Sequence, residues 1–98
     1  MATIREELSE AELAHEALDA PTTIDAAIGV LSKAKDIAKA QRASLSSEKA
    51  LNNSRCEVVT TFNDLIYSLQ KGVSVSGKIG EAKRAVEDWV KELKALQA

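Results

Sequence analysis

Near the end of the chain, Ile79, Ala82, Val86, Trp89, Leu93 and Leu96 follow one another at intervals of three and four residues. A strand alternates its faces every second residue. Only an α-helix puts all six on one side, and the 3-4-3-4-3 rhythm is the seam of helices that pack along their length. Val90 widens the seam. One apolar stripe cannot bury itself, so the rest of the chain must supply others.

It does. Val58, Val59, Phe62, Leu65, Ile66 and Leu69 form a second helical pattern, and Gly72 follows Lys71 where a C-terminal cap glycine belongs. Upstream, Thr3 with Glu6 and Ser9 with Glu12 both have capping-box spacing, and Leu8 and Leu13 stand where a hydrophobic staple around Ser9 would place them. The first helix is expected over 3–19, along the line Ile4, Leu8, Ala11, His15 and Leu18, and Pro21 ends it.

Thr22 or Thr23 caps the second helix, expected over 23–50 with the seam Ile24, Ala27, Ile28, Leu31, Ala34, Ala38 and Leu45. A second apolar line, Val30, Ile37 and Leu51, lies about 120° round the same helix. A helix apolar on two sides packs on two sides, against its own chain or another. The sequence Leu51-Asn52-Asn53-Ser54 reads as a break, because asparagine favours caps and turns. The third helix then covers 54–71 and the last 78–97. One unbroken helix through the second and third segments is the alternative.

The expected fold is therefore all-α: a single domain over 1–98, a small antiparallel up-and-down bundle of three or four helices with coiled-coil-like seams. Composition agrees. Of 98 residues 45% are hydrophobic and 29% charged, with one proline and three of four glycines inside 72–80. Such a chain folds rather than staying disordered, but a domain this small buries only about 60% of its unfolded surface, so a partner subunit would help. No apolar run reaches membrane-spanning length, the first ten residues are acidic and not signal-like, and one cysteine fits a reducing compartment. The expected location is the cytoplasm.

The candidate chemistry is sparse. Gly72 and Gly77-Lys78 spell most of a phosphate-binding loop, but such a loop follows a strand and carries Ser or Thr after the lysine, where this chain has Ile79. His15 and Cys56 are the only residues of their kinds, too few for the usual structural zinc set. His15 is expected at a helix interface, hydrogen-bonded, and Cys56 in the core. The carboxylate pairs Glu6-Glu7 and Glu87-Asp88 fall on polar faces and read as solvated surface. Tyr67 lies off its helix's seam and is expected to be exposed. No catalytic, cofactor-binding or metal residue is assigned, no small-molecule substrate is implied, and the expectation is a protein without enzymatic activity.

Charge is polarised along the chain. Residues 1–20 carry six acids against Arg5, whereas 33–55 carry six basic residues against Asp36 and Glu48. Lys35, Lys39, Arg42 and Lys49 recur on one helical stripe. Such a row suits phosphates or an acidic partner, or else it pairs internally with the stripe Glu12, Glu16 and Asp19 of the first helix. The leading expectation is a non-catalytic helical protein–protein interaction or assembly module that self-associates as a homo-oligomer. Its packing or oligomer interface is drawn from Val30, Ile37, Leu51, Ile79, Val86, Trp89, Leu93 and Leu96. The runner-up is an accessory protein that binds nucleic acid, or a nucleic-acid-processing enzyme, through the basic stripe.

Overall fold

Thr3 starts the first helix. Its hydroxyl accepts the Glu6 N–H at 3.1 Å, and its carbonyl accepts the Glu7 N–H at 3.0 Å. The cap satisfies donors that would otherwise have no intrahelical partner, and α1 runs over Ile4–Asp19. Ser9, the alternative start, lies inside α1; Leu8 is buried while Leu13 is 48% exposed, so no staple joins them. Thr23 repeats the cap for α2, Ile24–Arg42, by accepting the Ala26 N–H at 3.1 Å.

The next two helices are α3, Lys49–Lys71, and α4, Ser76–Gln97. This computed structural model describes residues 3–19, 23–42 and 49–97, with only the backbone of Arg42 and Gln97. Leu45, Pro21 and Thr22 lie outside the described residues.

Two expectations about helix limits need correction. The second helix does not reach residue 50: α2 ends at Arg42, and Lys49 opens α3. Residues 51–54, expected to be a break, lie within α3. Asparagine's intrinsic cost in a helix is a few tenths of a kcal/mol and is readily outweighed by tertiary contacts. Here Asn52 Oδ1 accepts a hydrogen bond from Arg55 Nη1 at 3.2 Å, and Leu51 and Ser54 are buried. Leu51 thus packs from α3, and the second apolar face of α2 reduces to Val30 and Ile37.

Gly72 ends α3 with φ of +72°, the left-handed conformation that L side chains avoid. The Val73 N–H bonds back to the Ser68 carbonyl at 3.2 Å, the long closing bond of a Schellman cap. After three residues the Val75 carbonyl accepts the Ile79 N–H at 2.8 Å, and α4 is under way. Gly77 and Lys78, the phosphate-loop look-alike, are in the first turn of α4, and the segment before Gly72 is helix rather than strand.

Each helix packs on its two ring neighbours, in the order α1–α2–α3–α4 and back to α1. Side-chain bridges fix the directions. Residues 10 and 33, and 7 and 41, are joined between α1 and α2; 15 and 87, and 19 and 83, between α1 and α4. As one number rises the other falls, so both pairs are antiparallel. The bundle measures 38 × 21 × 19 Å, one helix long and two helices wide on each side.

Alanines line the thin side of the core: Ala11 and Ala14 on α1, Ala34 and Ala38 on α2. Bulk comes from Val58, Phe62 and Leu65 on α3, and from Val86, Trp89 and Leu93 on α4. Val30, Ile37 and Ile79 are half-buried against this core. Leu96 is exposed. No helix among the described residues is long and apolar enough to cross a membrane.

Candidate functional site

Position 7 of the chain carries a carboxylate on the inner side of α1, in step with Ala11 and Ala14. Position 55 puts an arginine on the inner side of α3, in step with Leu51, Val58 and Phe62. Both side chains are fully buried. They meet side-on: Arg55 Nε donates to Glu7 Oε2, and Arg55 Nη2 to Glu7 Oε1, each at 2.6 Å. Bidentate charge-assisted bonds of this kind are the strong ones.

The other helices complete the set. Trp89 Nε1, from α4, donates to Glu7 Oε2 at 2.7 Å, and Gln41 Nε2, from α2, makes a longer contact of 3.5 Å to Oε1. The second guanidinium arm reaches Asn52 Oδ1 and, at 3.4 Å, the Gln41 carbonyl. α1 and α3 are diagonal in the ring, and these two long side chains bridge that diagonal. Removing an ion from water costs several kcal/mol, which only such saturation offsets. A carboxylate with both oxygens occupied and no exposure to solvent positions helices rather than meeting a substrate.

On the outside, α1 and α4 enclose an open groove of about 780 Å³ lined by Ser9, Glu12, Leu13, His15, Glu16, Glu87, Val90 and Lys94. His15 is half-buried there, with Nε2 3.3 Å from Glu87 Oε2. One turn along, Lys83 hydrogen-bonds Asp19. That bond, reinforced by the charge of Lys83, holds Asp19 below the ordinary 3.8, and the same contact raises Lys83 above 10.5. The acidic stripe of α1 therefore turns toward α4, not toward the lysines of α2. The α1–α2 seam carries a single ion pair among the described residues, Lys33 to Glu10 at 3.5 Å. Among those residues Glu12 and Glu16 have no cationic partner.

The basic stripe is shorter than its spacing suggested. Lys35 is half-buried and Lys39 exposed on α2, Arg42 is its last residue, and Lys49 begins a different helix. Lys33 and Ile37 border α1, as their groove with Arg5, Glu6 and Glu10 shows. At 100° per residue Lys35 and Lys39 stand on the opposite flank of α2. Of the expected packing residues, Leu51, Val86, Trp89 and Leu93 lie in the core, while Leu96 is exposed.

Cys56 is exposed rather than in the core, because Arg55 takes the inward position beside it. It borders a shallow α3–α4 groove with Glu57, Thr60, Thr61, Glu81 and Arg84. Tyr67 is exposed, with Lys71 Nζ 5.7 Å from its ring centre. No cluster of three or more His, Cys, Asp or Glu able to hold a metal ion occurs among the described residues.

Glu7, Gln41 and Arg55 escaped the sequence reading. In the sequence Glu7 reads as solvated surface and Arg55 only as one of the six basic residues of 33–55, yet each sits at a seam position: 7-11-14, 34-38-41 and 51-55-58 keep the same rhythm as the apolar core. Two seam positions of opposite charge were the available signal. No protein-family model, curated protein or solved structure matches the chain.

Proposed function

We propose that this protein is a non-catalytic helical interaction module that docks a helix of a protein partner in the α1–α4 groove. The observation that carries this reading is Leu13, 48% exposed beside Val90 and flanked by Glu12 and Glu16. A bundle has no folding use for that arrangement. A leucine left about half exposed gives up part of the gain of burial, and two carboxylates four residues apart on one helix repel by about 0.2–0.5 kcal/mol. An amphipathic basic helix supplies what both lack: an apolar side chain on Leu13 and Val90, and cations for Glu12 and Glu16.

The nucleic-acid reading has less behind it. A duplex or single strand asks for an extended basic track, and the row on one helix stops at Arg42.

The test is an amide-shift titration with a synthetic lysine–leucine amphipathic helix. Shifts should cluster on Glu12, Leu13, Glu16 and Val90 and vanish in Leu13→Glu, while melting of that variant stays unchanged. A titration that moves no amide in the groove sinks the reading.

A further inference from the structure

The chain itself contains a pair of cations with the required spacing. Ile24, Ile28, Lys35 and Lys39 share one stripe of α2, at intervals of four, seven and four residues. On that flank Lys39 is exposed and Lys35 half-buried, Ile28 packs against the core, and Ile24, 55% exposed, lies at the far end of the stripe. Among the described residues neither Lys35 nor Lys39 is in an ion pair.

We infer that the occupant of the α1–α4 groove is α2 of a second copy of this chain. The charges match in pitch as well as sign. Glu12 and Glu16 are four residues apart on α1, Lys35 and Lys39 four apart on α2, and each step is one helical turn of about 6 Å. Both surfaces are present on one molecule and lie on different sides of the bundle: the stripe is on the flank of α2 turned away from α1, whereas the groove belongs to α1 and α4. Groove and stripe are different surfaces, so the contact is head-to-tail. Each bound copy leaves one groove and one stripe free, and the assembly grows into a ring or an open chain rather than stopping at a two-fold dimer.

This inference rests on the docking role of the groove, and the two are separable. Light scattering at rising protein concentration reads the assembly. At low salt the average mass should climb past twice that of the chain, and it should fall back as added salt cuts the screening length from about 30 Å to about 3 Å. The paired reversals Glu12→Lys/Glu16→Lys and Lys35→Glu/Lys39→Glu should each leave a folded monomer, checked by circular dichroism. An equimolar mixture of the two should assemble again, because a basic groove then meets an acidic stripe. A monomer at all concentrations, a dimer plateau, or assembly indifferent to both reversals overturns the inference. If the chain stays monomeric while the lysine–leucine helix still shifts the groove amides, the docking role stands and only the identity of the occupant falls. If neither occurs, both fall.

Discussion

Glu7 and Arg55 form a fully buried, bidentate ion pair with two N–O distances of 2.6 Å, across the diagonal of a bundle in which α1 and α3 are not neighbours. With Trp89, Gln41 and Asn52 bonded to the pair, one polar cluster touches every helix. Its energetics are asymmetric, and mutation exposes the asymmetry.

Removing one partner strands a buried charge. Glu7→Ala or Arg55→Ala is expected to cost about 3–5 kcal/mol. Total stability for a domain of this kind is about 5–15 kcal/mol, so either variant should lie near the edge of folding. Replacing both by apolar residues of similar volume, Glu7→Leu with Arg55→Met, strands no charge but leaves the buried Trp89 indole N–H without its acceptor, so the double should cost clearly less than the sum of the two singles. Urea unfolding of the two single variants and the double checks this. A double variant as unstable as the sum of the singles contradicts it.

Trp89 has two separable roles. Trp89→Phe keeps an aromatic ring but leaves Glu7 Oε2 without its indole donor, an expected loss of about 1–3 kcal/mol. Trp89→Ala also opens a cavity and should cost about 3–5 kcal/mol. Trp89 is the sole tryptophan and is fully buried, so emission of the native protein should be blue-shifted and should move red in step with unfolding.

The Asp19–Lys83 pair gives a pH signature at two extremes. The folded value of Asp19 is depressed, so its contribution is complete above the ordinary 3.8 and is lost as pH falls through the lower folded value. Lys83 is raised, so its contribution is complete below 10.5 and is lost as pH rises through the higher folded value. Between these windows the pair adds no slope. Carboxyl titration by NMR should find Asp19 below 3.8 in the native protein and back near 3.8 in Lys83→Met. An unchanged titration in that variant removes the pairing as the cause.

Gly72→Ala tests the α3 cap. The space around Gly72 is open, so a methyl group meets no clash and the penalty is purely that of a positive φ. It should be about 1–2 kcal/mol. Gly80→Ala, inside α4 and equally unobstructed, should instead stabilise by about 0.5–1 kcal/mol. Thermal melts of the pair should therefore move in opposite directions.

The amino-acid order alone determined what is local. Thr3, Thr23 and Gly72 act within a few residues of themselves, and the three-and-four rhythm of the apolar residues needs no distant information to specify helix. Hence the all-α bundle, the start of α1 and the end of α3 were legible. Local signals misled where a distant partner outweighed them. Asn52 and Asn53 read as a break, but Asn52 bonds to an arginine that is itself held by a residue 48 positions earlier in the chain. Whether a charge sits in water or in the core depends on whether an opposite charge and enough donors arrive beside it. Only the tertiary structure decides that, because the desolvation cost of Glu7 is offset by groups drawn from the other three helices at once.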